Sequence, residues 1–552
     1  MSRTLPVAAL CALLLLLPFE PRRPVFHVFG LRFTLVEYVA AVAAVALLTA
    51  YRARLRGLLR RPPLPLAFLS SYVAVQLLSA ALAPMNRGLA FKFALRMAAA
   101  AVLAFAVAAT PRNVLRRGLS ALTLSCAAVA VLAILEGVGV SGLDPFLDEF
   151  RSGPFWIGLS RRASAGSESP NLAAAMLLYG LVPSVGLAAL RPKASRIAIP
   201  LTVLFSLGVL FTDSRGGLLA LAVALATLCV ALAWKRWSAA LAPAAALLTL
   251  LAVAALFSVT VRTSPRMSYP GVPARAARYA PGETFLSFGP REARTVAVTL
   301  TNDGRTPWTT AALGCSWQRV EAERTMDRTA TAHCPVTPVP PAAPGQTVRV
   351  DAAVLAPAAE GRYLLVWDLV ADGWVMSSVG VPPATIPTVV TRDPAAARPF
   401  SYALPAATWR RGRAALWRAA LAMWREHPLT GIGPDNFRWA HAEYAGWPAG
   451  ATQETLIPAN NMFLEAAATT GSFGLLALLG TFASTIRATL RELSRAPRAS
   501  SEAVWAAALL ALTIGIVVHG LVDSFLGFTG HYLFLAFVVG STSSLNAEQD
   551  WS

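Results

Sequence analysis

Charge is scarce in this chain. Of its 552 residues only 14% are Asp, Glu, Lys or Arg, against about 25% in an ordinary soluble domain. A wholly water-exposed globular fold is therefore excluded. Acidic residues are the scarcer sign, 29 against 48 basic, which leaves a formal net charge of +19. Histidine occurs six times, with no His-x-x-x-His pair and no Asp-x-Asp pair outside the apolar runs. Spacings that would gather a metal are therefore missing. No internal repeat and no nucleic-acid-binding module is present.

What fills the chain instead is apolar sequence. Hydrophobic residues make up 56%, and apolar runs long enough to cross roughly 30 Å of hydrocarbon recur. The pattern predicts a polytopic α-helical membrane protein with about 12 transmembrane helices, over 5–19, 33–50, 64–83, 89–109, 118–138, 171–190, 197–211, 216–234, 238–260, 468–486, 503–522 and 530–546. Pro18-Phe-Glu-Pro follows the first run where a cleavable leader would have small residues, so this run is read as a retained span. Arginines gather in alternate loops, including Arg52, Arg54, Arg56, Arg60, Arg61, Arg112, Arg116, Arg117, Arg487 and Arg491. That asymmetry predicts cytoplasmic termini and places residues 261–467 outside. The positive surplus then answers to topology and to membrane lipids with anionic headgroups, not to nucleic acid. Cys11, Cys126 and Cys229 fall inside apolar runs as small hydrophobes. Cys315 and Cys334 lie on the oxidising side, where a disulfide is plausible if their Cα atoms come within reach.

The chain divides into a membrane domain over 1–262, an all-β insert over 280–392, a helical outside segment over 405–467 and a closing membrane domain over 468–552. In the insert, Val296, Val298 and Leu300 alternate with polar neighbours, Asn302-Asp-Gly304 makes a turn, and Leu365, Trp367 and Leu369 fall in phase. Short alternating runs punctuated by turns predict a β-sandwich. In the helical segment, the run from Trp409 ends at His427-Pro428, and its apolar residues at 416, 417, 420, 421 and 424 form one stripe.

Four short patterns sit at the outside edges of the spans. Arg161-Arg162 precedes Ser169-Pro-Asn171; Thr212-Asp-Ser-Arg215-Gly216-Gly217 joins the seventh and eighth spans. Arg413, with Arg410 and Arg411 close by, leads to His427-Pro428 and Gly431-Ile-Gly433-Pro-Asp435-Asn436. Finally, Asn460-Asn461 is followed nine residues later by Gly471-Ser-Phe-Gly474. In order and spacing these patterns resemble the O-antigen ligase and polymerase family, bacterial membrane enzymes that move glycans off a polyprenyl-diphosphate carrier. The resemblance covers most of the chain except the β insert, which itself resembles immunoglobulin-like sandwich domains appended to extracytoplasmic bacterial proteins. It implies a helical bundle resembling the C-type glycosyltransferases, in the bacterial inner membrane with the large loop in the periplasm. One departure stands out: the family's His-Asn pair is Asn460-Asn461 here.

The resemblance implies a polyprenyl-diphosphate-linked glycan as donor and a hydroxyl of lipid A-core, of another glycan or of a protein as acceptor. Pyrophosphate leaves as a stable anion, so the reaction needs fixed cations more than a general acid, and guanidinium forks suit phosphate oxygens. Arg215, Arg413 and Asn460 are the candidate catalytic residues; Arg161, Arg162, Asn171, Arg410 and Asn461 are candidate substrate contacts. Gly216, Gly471 and Gly474 mark close backbone approach. The Asn460 amide has no basic lone pair, so a proton acceptor is sought among Glu465, Glu454, Asp435, Glu443, His441 and His427. His519 and Asp523, at the outer end of the eleventh span, are read either as ionisable groups at membrane depth or as loop-edge residues. Asp144, Asp148 and Glu149 lack a diagnostic metal spacing, and neither metal nor cofactor is expected. Two other classes stay open: an inactive relative that binds the glycan lipid, and a transporter. The transporter predicts a polar path through the spans, whereas the ionisable residues gather at the outer surface.

Overall fold

The computed structural model describes residues 4–28, 31–140, 142–151, 155–157, 160–190, 195–235, 237–260, 275–320, 326–327, 334–372, 374–376, 381, 383–400, 413–444, 458–498 and 500–547. The first part is helical: α1 (Thr4–Leu16), α2 (Leu35–Ala50), α3 (Arg52–Arg60), α4 (Leu64–Leu82), α5 (Arg87–Ala109), α6 (Arg112–Gly137), α7 (Leu143–Leu147), α8 (Pro170–Ala189), α9 (Ser195–Phe211), α10 (Arg215–Lys235) and α11 (Trp237–Thr260). After the β insert come α12 (Arg413–Glu426), α13 (Phe437–Tyr444), α14 (Met462–Arg495), α15 (Ser501–Gly520) and α16 (Thr529–Ala547). Each of the twelve apolar runs coincides with one of these helices. Among the described residues eight helices are long and apolar enough to cross a membrane, or nine if α2 and α3, bent by 91°, form one span. The helices α1 and α9 are apolar but shorter. The α16 helix carries Ser541, Thr542, Ser543 and Ser544, all buried, because it packs within the bundle, against α5 and α14.

Polar residues at the helix ends satisfy the amides that have no partner inside the helix. Thr34 and Glu37 form a reciprocal capping box on α2. Ser169 caps α8, Asn461 caps α14 and Ser500 caps α15. Buried faces are rich in Ala and Gly, which lets helix backbones approach closely in a bilayer, where apolar side chains gain little from each other.

The insert folds as two sheets around one core. One sheet has the order β10 (Thr337–Val339), β8 (Ala311–Val320), β12 (Gly361–Ala371), β14 (Ala384–Val390) and β6 (Leu286–Phe288), with short β9 (Met326–Asp327) on β8 and β13 (Trp374–Val375) on β12. The other has the order β11 (Thr347–Leu355), β7 (Ala293–Thr301) and β5 (Arg278–Pro281). All pairings are antiparallel except that of β14 with β6. The alternation of Val296, Val298 and Leu300 puts these side chains in the core with Trp308, Trp317, Tyr363 and Trp367. Residues Tyr363 to Leu369 of β12 are buried on both faces. Cys315 of β8 is bonded to Cys334 with Cα atoms 5.2 Å apart. Val370, near the end of β12, rests on the cluster formed by Leu416, Met423, Phe437 and Ala468, so the insert stands on α12 and α13.

Candidate functional site

The loop before α8 is held by one buried arginine. Arg151 is 1% exposed. It donates to Asp144 at 2.7 Å, Asp148 at 3.0 Å, Ser164 at 2.8 Å and Glu136. Glu136 in turn accepts the amides of Ser164 and Ala165, both at 2.9 Å. A buried charge with this many partners is stable only as a complete set, so the network fixes the loop that follows. Asp144 and Asp148 are thus engaged as partners of Arg151. The loop carries strand β4 (Ser160–Arg162), paired with β3 (Phe155–Ile157). Arg162 is buried; its Nε donates to the Thr212 carbonyl at 2.8 Å and its Nη2 to Asn171 Oδ1 at 3.0 Å. Asn171 therefore positions the guanidinium, while Ser169 provides the helix cap. Burial pulls the Arg162 pKa below its ordinary value, and the like charge of Arg413 acts in the same direction against Asp213 and Asp523.

The Thr212 turn carries Arg215. Asp213 has φ 48°, and Ser214 Oγ accepts the Gly217 amide at 3.1 Å, which starts α10 with Arg215 exposed at its first turn. A Cβ on Gly216 would lie 2.5 Å from Val522, and one on Gly217 2.5 Å from Ala174. The two glycines therefore let α10 wedge between α8 and the end of α15. Arg215 borders a cavity of 230 Å³, whose other lining residues include Leu210, Asp213, Ser214, Leu218 and Phe257. The cavity is apolar within, with a cation at its edge.

The third and fourth motifs interlock. The helix α14 breaks at Gly471, with φ 65° and ψ −167°. The Pro428–Gly433 loop runs alongside this break. Ser472 N donates to Pro428 O at 2.7 Å, Ile432 N to Ala468 O at 3.0 Å and Gly433 N to Thr469 O at 2.9 Å. A Cβ on Gly471 would lie 2.2 Å from the Leu429 carbonyl, and one on Gly431 2.3 Å from Thr469 C. Gly474 lies so close to Thr470 that a Cβ would overlap its hydroxyl. The motif glycines thus cross two backbones. Above them, Asn461 Oδ1 accepts the Phe463 and Leu464 amides at 3.0 Å, its Nδ2 donates to Leu521 O at 2.9 Å, and its backbone N donates to Ser524 Oγ at 3.1 Å. Asn460 has φ 50° and its carbonyl accepts Trp417 Nε1 at 3.4 Å. Arg413 is exposed at the start of α12. It acts electrostatically on both Arg162 and His519.

These contacts bring Arg162, Asn171, Arg215, Arg413, Asn460 and Asn461 to one end of the bundle, around His519 and Asp523. That pair has no local signal beyond being ionisable in an apolar run. Asp435, paired with Arg438, and Glu465 line a 30 Å³ cavity with Tyr72, Gln76 and Ser524, and through Ser524 Glu465 borders the Asn461 cap. His441 is buried in α13, stacked on Phe437 with its Nδ1 near Arg438 O. His427 ends α12, its carbonyl accepting the Gly431 amide. Arg410, Arg411 and Glu454, and the side chains of Arg161 and Glu443, lie outside the described residues.

Comparison with known proteins agrees with the motif residues. No curated protein matches the chain. Among solved structures, the Pseudomonas fluorescens alkylpurine DNA glycosylase AlkC bound to DNA containing an abasic site analog aligns over 59% of this chain and 99% of that one, at 11% identity. Its TM-score of 0.14 is too low to bear on fold or function. Residues 390–479 match the family model described as O-antigen ligase. That stretch holds Arg413, the crossed glycines and the Asn460-Asn461 cap, so the match to an O-antigen ligase domain falls on the motif residues themselves.

Proposed function

We propose that the protein is a membrane glycosyltransferase that takes a glycan from a polyprenyl diphosphate and passes it to an acceptor hydroxyl on the outer face of the bacterial inner membrane, without a metal. On this reading the bundle has twelve spans with both termini cytoplasmic, and the β-sandwich is an immunoglobulin-like module that braces or binds. The supporting observation is that Arg162 donates to the Thr212 carbonyl, in the turn that carries Arg215, and feels the charge of Arg413 on α12. Fixed guanidinium groups stabilise a departing diphosphate where its charge develops. The apolar cavity beside Arg215 suits the first isoprene units of the carrier, with the diphosphate at the Arg215 edge. Lipid A-core, a growing glycan and a protein hydroxyl all fit as acceptor.

The test is transfer of a labelled glycan from its polyprenyl diphosphate in proteoliposomes, with wild type and Arg215→Ala compared with and without EDTA. Transfer that survives chelation and falls by about 10²-fold or more in Arg215→Ala is expected. Carrier binding without transfer by wild type would instead favour an inactive glycan-lipid-binding protein, the reading that the Asn460 substitution favours.

A further inference from the structure

We propose that His519, paired with Asp523, takes the proton of the acceptor hydroxyl, so that the base missing at position 460 is supplied from the end of α15. This rests on the glycosyl-transfer reading above and assigns the one role that reading leaves empty.

The geometry is specific. His519 is 2% exposed and Asp523 4% exposed, one helical turn apart. His519 Nε2 and Asp523 Oδ2 face each other at 4.0 Å. Among the described residues neither atom has a hydrogen-bond partner, although both are buried. Buried polar atoms are rarely left so. Asp523 is not loose: its Oδ1 accepts the Ser524 amide at 2.8 Å, and its carbonyl accepts the Met462 amide at 3.0 Å. A gap of 4.0 Å is too long for a direct hydrogen bond, but one oxygen about 2.8 Å from each atom bridges it. A water would donate to both atoms; an acceptor hydroxyl taking its place has one proton, which it donates to His519 Nε2.

The gap also sits where the acceptor must arrive. The Cδ2 edge of His519 lies 3.6 Å from the place a Cβ would take on Gly216, next to Arg215. On the other side, Asn461 is tied to Leu521 and Ser524, which flank Asp523 in the chain. Arg413 acts electrostatically on His519 from α12, and Asp523 acts on Arg162 of β4. The arginines that would hold the diphosphate and the pair that would hold the hydroxyl therefore lie on neighbouring elements at one end of the bundle.

The step balances. The acceptor oxygen forms a bond to the anomeric carbon of the donor sugar, and the bond from that carbon to the phosphate oxygen breaks. The polyprenyl diphosphate leaves with the electron pair and the hydroxyl proton passes to His519 Nε2. Asp523 stabilises the imidazolium until the proton is lost to solvent.

The test measures kcat and KM for transfer in proteoliposomes, together with binding of the polyprenyl diphosphate itself, for wild type, His519→Gln, Asp523→Asn and the double variant His519→Gln/Asn460→His. His519→Gln keeps size and hydrogen bonding, and its folding is checked by monodispersity. The expected result is a fall in kcat of about 10²–10⁴-fold with carrier affinity unchanged, a smaller fall for Asp523→Asn, and partial recovery when a base is restored at position 460. Wild type should also show a low-pH limb in kcat that His519→Gln lacks. The groups that face the imidazole in setting that limb are Asp523, Arg413 and His531. Full transfer by a folded His519→Gln would overturn the assignment while leaving the transfer reading intact. Failure of wild type to transfer at all would overturn the reading beneath it.

Discussion

Gly471→Ala should damage the protein far more than its single added carbon suggests. The residue sits at φ 65° and ψ −167°, a region essentially confined to glycine, where another residue costs about 1–3 kcal/mol. The methyl would lie 2.2 Å from both C and O of Leu429 and 2.4 Å from Thr430 N. These are backbone atoms, so no side-chain rotamer relieves the overlap. The Pro428–Gly433 loop must move away, and with it go the hydrogen bonds Ser472 N to Pro428 O and Ile432 N to Ala468 O, at 2.7 and 3.0 Å. Each contributes about 1 kcal/mol net. Strain and lost bonds together come to roughly 3–5 kcal/mol, at the upper end for a single substitution. Gly88→Ala is the control: nothing lies within 4 Å of a Cβ there, and alanine favours the helix. The assay is loss of the monodisperse peak on heating in detergent. Gly471→Ala should lose it well below wild type and Gly88→Ala should not. Indistinguishable profiles would refute the crossed-backbone account of the motif.

Two further outcomes follow from the β insert and the loop after α12. Cys334→Ser opens the bond to Cys315, which closes a chain separation of 19 residues. The insert should lose roughly 3 kcal/mol, read as an earlier tryptophan-fluorescence transition that reductant reproduces in wild type; equal transitions would show that the bond is dispensable. Burial lifts the Asp435 carboxyl above its ordinary value of 3.8, with Arg438 opposing. A raised carboxyl contributes most stability below pH 3.8 and loses that contribution as pH rises through the folded value. Asp435→Asn should therefore remove a decline in stability on the alkaline side of that range, and an unchanged melting-versus-pH curve would contradict this.

Much of the fold was legible because its signals are local. Apolar runs long enough for a bilayer became helices, and the period-2 stripe of Val296, Val298 and Leu300 became one face of a sheet. Strand β12 was less legible, since burial on both faces blurs its alternation. Span number was harder still. Length and hydropathy fail where a helix such as α16 hides hydroxyls against its neighbours instead of facing lipid. At the site, the motifs could be read but not their division of work. Asn461, a candidate substrate contact by sequence, bonds Leu521 and Ser524, and the close approach expected at Gly216 is to Val522, so both residues build the scaffold. Such pairings join positions far apart in the chain: Ser79 Oγ reaches Thr469 O, 390 residues away, at 2.8 Å. No window of sequence contains that. His519 was equally hard to single out, because its importance lies in what faces it.

Position 460 separates backbone from proton chemistry. Its φ of 50° is left-handed, a region that Asn, Asp and His enter more readily than other residues bearing a Cβ. The histidine that the resemblance implies at this position would satisfy the same backbone demand as asparagine, and only histidine can accept a proton. Among the described residues the Asn460 side chain makes no hydrogen bond that a replacement would break; the Trp417 contact is to its carbonyl. Asn460→His should therefore fold as wild type does, with the Trp417 bond kept. Its rate then carries the information. If no other base serves the site, transfer should rise by about 10²–10⁴-fold. If His519 already takes the proton, a second base gains little, and kcat should stay within a few-fold of wild type while His519→Gln becomes less damaging in its presence. A large rise in the single variant would show that the natural chain works without a base, and would place His519 among the residues that only shape the pocket.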